Sequence, residues 1–586
     1  MNIRINIFIA TILLALTSVL QVVAQVTFDG RPPVYDSRTK TYLLTVPEQA
    51  FDNGPVQMKI AIDDGVTGVK IAGQAVDEVV EFPQITCGSS YSFVFKRNNV
   101  TTRSSIRFTY LPILVLTGTF GYDYVQAPVK VIEPDSGLVM NYQAQVKWAG
   151  SSTNGRWTNK RNFHLKFVDE QGEKTDVSFF GLRDDNHWRL DAGTVDMIRF
   201  RNKAAHDLWA DFGNKPYYGN VQSKARSYVR GGHVEIFINN VYYGFYNLTE
   251  CLDRKQMKLK KYDVVDDGQR SSFLIHGLLW KAKEDTPETL FNTPSTIVDN
   301  ALGEWAGYEL EYPDIDEVCP TDYSVLHDAI TFVVKSNNQK FASQVGDRFD
   351  LPVLVDYYVF INALYAIDNV CKNIIWGCYD SQVDNKLTLA VWDLDATAGQ
   401  HWRDHDGYYH AEGIQPEHEL TELPDSTCQL MHNRLFMRLR AMPQFRMWTV
   451  NRYWQLREDI LDPDHLVNHY AEIYDRLYRC GALDRESVRW SGIDDINYRP
   501  LVFDEEFDYL CDWLRRRVAY MDENTFACLR GDVNGDGRLN VMDVTELINN
   551  LINGKTITNM AEADVTADND INVSDVVELI NLIMNN

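Results

Sequence analysis

Two stretches near the end of the chain, GDVNGDGRLNVMDVTELINNLI and ADVTADNDINVSDVVELINLIM, are copies of one unit, and no other feature limits the possible folds as strongly. Each copy is a loop of acids and amides followed by an amphipathic helix. A unit of this size cannot bury its apolar stripe alone, so the two copies must pack on each other. In the first copy Asp532, Asn534, Asp536, Arg538, Asn540 and Asp543 fall at positions 1, 3, 5, 7, 9 and 12 of a loop, with Gly537 at position 6. That is the oxygen-ligand spacing of an EF-hand-like calcium loop, in which Arg538 contributes only its carbonyl. The second copy supplies Asp564, Thr566, Asp568, Asp570, Asn572 and Asp575. Position 12 is Asp where Glu is usual. Asn569 stands where the glycine belongs, and Asn is among the residues that best tolerate a left-handed backbone. Val544, Leu547, Ile548, Leu551 and Ile552 form the expected buried stripe of the first helix.

The remaining chain is too long for one hydrophobic core, since the sequence has 586 residues. Hydrophobic residues make up 45% of it, enough for several packed domains. A formal charge of -25 excludes a nucleic-acid surface and favours solubility and cation binding. Arg4 precedes an apolar run ending near Leu20, and Val22-Val23-Ala24 offers a small-residue cleavage site. Residues 1–24 therefore read as a secretory signal peptide, and the mature chain is expected to be extracellular or cell-surface associated, with no transmembrane span. Of nine cysteines at least one must be unpaired, and their spacing suggests no zinc site.

Four segments follow from the patterning. After the signal peptide, 25–110 consists of short β-type runs (TYLLTV, VQMKIAI, YSFVF, IRFTY) broken by turns, as in a small antiparallel, Ig-like β-sandwich. Residues 111–526 form an α+β region. Its first half is strand-rich (QAQVKWAG, KRNFHLKF, VEIFINN, YYGFYNL), with one helical segment, DMIRFRNKAAHDLWADF, inserted. Its second half is mostly helical, with LPVLVDYYVFINALYAI and FDEEFDYLCDWLRRRVAYMDE as its clearest helices. Residues 531–586 are the paired calcium loops in a small all-α module.

The central chemistry lies in AIDNVCKN, Ala366 to Asn373, and in VWDLDATAG about twenty residues later. Phosphoryl transfer asks a protein for a carboxylate to take the acceptor's proton, metal ions on the phosphates, and a cation holding the nucleotide. Protein kinases place the base Asp and a metal-binding Asn in D-x-x-x-x-N after a helix. A metal-binding Asp follows two short strands later. Asp368 and Asn373 have that spacing, NIIWGCY and KLTLAVW are the two strands, and Asp393 ends the second, with Asp395 beside it. Ordinary kinases are excluded, because no H-R-D, D-F-G or G-x-G-x-x-G is present.

These residues, together with NKRNFHLKF, the helix bearing Asp196 and RNKAA, and VEIFINNVYYGFYNLTE, resemble the CotH kinase family, atypical kinases first known from spore coats. The resemblance runs from about Leu111 to Phe526. It implies a kinase-like fold of a strand-rich and a helical lobe, binding ATP with Mg2+ or Mn2+. Asp368 would be the catalytic base, and Asn373, Asp393 and Asp395 the metal ligands. Alternation in KRNFHLKF puts Phe163, Leu165 and Phe167 on one face and Lys160, His164 and Lys166 on the other. One lysine should reach the nucleotide phosphates, Lys166 first and Lys160 second. Glu250 would pair with it or orient the nucleotide, and GSSTNGRW, from Gly150, is the candidate phosphate-covering loop.

The C-terminal repeat resembles a type I dockerin, which implies a cohesin partner. In that family loop positions 10 and 11 help select the cohesin; here they are Val541-Met542 and Val573-Ser574. The combined expectation is a secreted atypical kinase, phosphorylating itself or Ser/Thr of a partner protein, docked in a cellulosome-like, polysaccharide-degrading context. Two alternatives remain: a pseudokinase scaffold, and a polysaccharide-active hydrolase using acids such as Asp404 and Asp406.

Overall fold

Period-two alternation in the first hundred residues builds two sheets. The computed structural model describes residues 26–150, 158–266, 271–294, 298–400, 415–421, 432–493, 500–527, 530–535, 538–554, 557, 560–566, 568 and 570–585. The expected signal peptide, most of GSSTNGRW, Asp404, Asp406, Asp536, Gly537 and Asn569 lie outside the described residues. One sheet has three strands, Val26–Phe28, Val56–Ile62 and Val79–Phe82. The other has six, in the order Val34–Asp36, Thr41–Thr45, Val100–Thr109, Ser90–Arg97, Val66–Ile71, Gln74–Ala75. Phe28, Phe82, Phe93 and Phe108 are buried among these strands. The expectation of a purely antiparallel arrangement is corrected, because Thr41–Thr45 runs parallel to Val100–Thr109. Parallel neighbours need a long crossover, and the intervening strands of both sheets supply it.

The chain divides into two compact units, each assembled from three segments. The first holds this sandwich, the region up to Met197, Gly231–Glu250 and Glu472–Phe503. Its second half is a closed barrel of seven strands: Ile113–Leu116, Val125–Ile132, Val139–Ala149, Asn162–Val168, His187–Asp191, Val241–Glu250 and Gly231–Ile238. Ile113–Leu116 pairs in parallel with Gly231–Ile238 and closes it. Closure leaves no unpaired strand edge. Val129, Val146, Phe163, Leu165, Phe167, Trp188, Leu190 and Leu248 fill the interior. The last hairpin turns through Asn239 and Asn240, both left-handed at φ 51° and 63°, which matches the twist of its strands.

The second unit contains Ile198–Arg230, Cys251–Ala471 and the residues from Asp504 onward. Its five-stranded sheet has the order Glu304–Trp305, Tyr308–Tyr312, Leu278–Ala282, Ile374–Cys378, Leu387–Val391. The helix Leu351–Ala363 is buried on all sides, as its nearly continuous apolar sequence requires. The helix Arg201–Phe212 belongs to this unit and not, as expected, to the strand-rich half. Its Trp209 and Phe212 pack on Phe360 of Leu351–Ala363. Among the described residues no helix is long and apolar enough to cross a membrane, and Cys87, Cys319, Cys378, Cys480 and Cys511 form no disulfide.

The C-terminal repeat packs Val533, Val544 and Leu547 against Val565, Val576 and Leu579. The helices are Val541–Asn553 and Val573–Asn585. Ile548 and Ile552, expected inside, are instead 37% and 76% exposed. Two short helices bury only a narrow seam through Val544, Leu547 and Leu551, and residues one step round the helix turn outward.

Candidate functional site

Asp368 follows the buried helix Leu351–Ala363 in a single short turn, Ile367–Asn369. Three contacts hold that turn. The Tyr357 hydroxyl donates to the Asn369 carbonyl. Asn369 Nδ2 donates to the Trp392 carbonyl at 2.8 Å. Asn373 Nδ2 donates to Asp368 Oδ2 at 2.7 Å. The two strands after it pair antiparallel, with Ile374 opposite Val391, so Asn373 and Trp392 emerge side by side at one sheet end. Asp393 is the next residue. Asn373 and Asp393 both have left-handed backbones, φ 56° and 54°. Such conformations are costly for non-glycine residues and mark positions that the surroundings over-determine.

Lys372 Nζ lies 2.8 Å from Asp368 Oδ1. At that distance the ammonium and the carboxylate form an ion pair across four residues of the same short stretch. Burial pushes the Asp368 carboxyl above the usual carboxylate range, against the opposing pull of Lys372 and Asn373. The environment is that of a proton acceptor held ready beside a cation. Asp393 is exposed and Asp395 half-buried. Asn373 spends its amide nitrogen on Asp368, which leaves its carbonyl oxygen as the atom suited to a cation. The donor set of Asn373, Asp393 and Asp395 is all oxygen, fitting a hard divalent ion such as Mg2+. Among the described residues no three His, Cys, Asp or Glu side chains converge at metal-binding distance.

The Leu394 amide is held by Asn202 Oδ1 at 2.9 Å, and Arg201 pairs with Glu506 at 2.9 Å. The RNKAA run thus braces the WDLDATAG loop. Neither role was drawn from the sequence, and neither was that of Lys372. The signal for Lys372 was present, since it lies four residues after Asp368 in the same short stretch.

The nucleotide candidates lie in the first unit. Lys160 leaves the alternation expected of it, because the strand begins at Asn162. Its ammonium is fully buried, 2.8 Å from Glu486 Oε1 and donating to the Ala192 and Phe245 carbonyls. Glu486 comes from the helix Ala482–Trp490 and passes Gly244, φ 113°, where any side chain would collide with it. Glu250 is buried and its Oε1 accepts from the Arg183 amide. Lys166 stays half-buried on the outer barrel face, with Nζ 4.7 Å from the Tyr124 ring centre.

In the calcium loops Asp532, Asp543 and Asp575 are fully buried, as position 1 and the two position 12 residues. Asp543 accepts from the Asn534 and Asn540 amides at 3.2 and 2.8 Å. Asp575 accepts from Thr566 and Asn572 in the same pattern. Burial acts to raise the Asp575 carboxyl, but these hydrogen bonds outweigh it and hold it below the usual range. Asn540, Thr566 and Asn572 side chains and the Arg538 carbonyl lie on the same two loops, with Asn534, Asp564, Asp568 and Asp570. Buried carboxylates in an all-oxygen loop fit calcium. Asp532 is also 2.8 Å from Arg446 of the helix Pro443–Arg457.

Comparison with curated proteins finds no match. Two family models do match: CotH kinase protein over residues 146–521, and Dockerin type I domain over residues 530–584. The first covers more than half of the chain, and so the protein belongs to the CotH kinase protein family and carries a type I dockerin domain at its C-terminal side.

Proposed function

We propose that this chain is a secreted, atypical ATP-dependent kinase, phosphorylating itself or Ser/Thr of a partner protein, held through its dockerin in a cohesin-bearing extracellular complex. The observation that carries the kinase reading is the Asp368–Asn373 contact at 2.7 Å beside the strand end bearing Asp393. Asp368 accepts the proton of the acceptor hydroxyl, and its raised pKa suits a base that must take a proton and release it. Asn373, Asp393 and Asp395 would hold Mg2+ or Mn2+, which when bound neutralises charge on the transferring phosphoryl group. Lys166 binds phosphate oxygens, whereas the burial of Lys160 supports a part in holding the barrel together.

The cohesin reading is supported by a repeated surface. Val541, Ile548 and Ile552 on one helix, and Val573, Ile580 and Met584 on the other, are exposed at equivalent positions of the two copies. Apolar groups repeated in this way suit a protein partner that can meet either copy. A polysaccharide-degrading setting is the natural context for such docking.

The test is incubation of purified protein with labelled ATP and Mg2+ or Mn2+, followed by phosphosite mapping. Label should appear on the wild type and be absent from Asp393→Ala. The pseudokinase reading has its own observation, the Lys372 ammonium already paired with Asp368. It would be preferred if no ATP binds at millimolar concentration with either metal.

A further inference from the structure

Asn373 and Asp393 both hold left-handed backbones, φ 56° and 54°, and one side chain reaches the carbonyls that orient them. That side chain is Asn369, fully buried in the turn Ile367–Asn369. Its Nδ2 donates to the Trp392 carbonyl at 2.8 Å and to the Asn373 carbonyl at 3.4 Å. A primary amide has two N–H donors, and here one goes to each strand end. The direction of the Asn373 carbonyl is set by that residue's own ψ. The Trp392 carbonyl belongs to the planar peptide that joins Trp392 to Asp393, so its direction is tied to the φ of Asp393. One amide thus acts on the backbone of both left-handed residues, whose conformations persist only where surrounding contacts impose them.

The clamp is itself held in place. From the buried helix Leu351–Ala363, the Tyr357 hydroxyl donates to the Asn369 carbonyl. Asn433 Nδ2 donates to the next carbonyl, that of Val370, at 2.6 Å. Asn433 is fixed in turn, because its Oδ1 accepts from the Phe436 amide and caps the helix Arg434–Arg440. The Asn373 amide donates to the Ala282 carbonyl at 2.8 Å. Asn369 Oδ1, by contrast, is buried with no hydrogen-bond partner among the described residues. A buried acceptor without a donor carries a desolvation cost, so packing alone gives no reason for asparagine at this position. Its use lies in the two donors.

We infer that Asn369 is a positioning residue, which sets metal affinity by clamping Asn373 and Asp393 in the backbone conformations that present their side chains to the ion. The inference rests on the kinase reading for the identity of the metal ligands, and on the two hydrogen bonds for the clamp. Asn369 acts through its neighbours. Without it the two residues relax toward ordinary backbone, and the ion must impose both conformations at the expense of its own binding energy.

The test is calorimetric titration of the calcium-saturated full chain with Mn2+, without nucleotide. The Mn2+ binding that Asp393→Ala removes defines the site. There Asn369→Leu, close in volume but without donors, should lose at least tenfold in affinity. Its phosphate transfer should recover as Mn2+ is raised, because the defect lies in holding the ion. Asn369→Thr, whose one hydroxyl can hold one carbonyl, should lose only severalfold, and it carries the test if Asn369→Leu misfolds. A merely structural role would lower the thermal midpoint and leave Mn2+ affinity unchanged. Unchanged affinity in a folded variant overturns this inference alone and leaves the kinase reading standing. If the wild type shows no Mn2+ binding that Asp393→Ala removes, the metal ligands of the kinase reading fail and the inference falls with them.

Discussion

At the scale of single residues, Asp368 and Lys160 separate chemistry from architecture. On the proposed kinase reading Asp368→Asn keeps the shape but removes the base, and phosphate transfer should fall about 10²–10⁴-fold with nucleotide affinity little changed. The pKa of Asp368 is raised in the folded protein. Its protonated form is thus favoured by folding, and the stability this contributes is present at low pH and lost as pH rises through the raised value. Wild-type activity should accordingly fail in acid at a higher pH than an ordinary carboxylate would give. Asp368→Asn should melt at the same or a higher temperature than wild type near neutral pH, and that advantage should vanish in acid. Lys160→Met tests the opposite case. It removes the ammonium 2.8 Å from the buried Glu486 carboxylate, and denaturant unfolding of the first unit should show a loss of about 3–5 kcal/mol. A raised KM for ATP without loss of stability would instead return Lys160 to the nucleotide. The sequence marked both residues as candidates, Asp368 as the base and Lys160 as the second choice for the nucleotide. It did not show that Lys160 is sealed inside, because its partner Glu486 lies 326 residues away.

Elements were legible where their pattern is local. The Asn-Asn hairpin, the helix Leu351–Ala363 and the two strands after Asp368 all stand where alternation and apolar spacing place them. The strand His187–Asp191 was missed because WRLD is too short for its period to register. The dockerin loops show how an element's ligands can be legible while its neighbours are not. Asp532 was readable as position 1 of a calcium loop, but its ion pair with Arg446 was not. Arg446 competes with any cation at that carboxylate. Arg446→Ala should therefore tighten calcium binding at the first loop, by up to about fivefold if the pair is worth ~1 kcal/mol. Titration calorimetry would read the change, and unaltered affinity would mean that the pair does not compete. The outward helix faces give a second test. Ile552→Glu with Met584→Glu should weaken cohesin capture by at least tenfold while calcium binding is kept, since both side chains are exposed. Undiminished capture would move the contact to another surface.

At the scale of the whole molecule, calcium removal should divide the protein thermodynamically. Chelation should melt the dockerin, whose buried carboxylates repel one another without the ion, and leave the CotH region folded. Calorimetry should then lose a transition of about 40 kcal/mol, the enthalpy expected of some 56 residues, with the main transition unmoved. A scan identical with and without chelator would contradict it. The sequence by itself determined the family, the two calcium loops and the order Asp368, Asn373, Asp393, because ligand spacing within a loop and residues flanking a strand are local geometry. Tertiary structure alone decided the closure of the barrel, the membership of Arg201–Phe212 in the second unit, the outward turn of Ile548 and Ile552, and the pairing of Lys160 with Glu486. Each of these depends on which distant segment supplies the covering surface or the opposite charge, and periodicity can report that a face is buried without reporting what buries it.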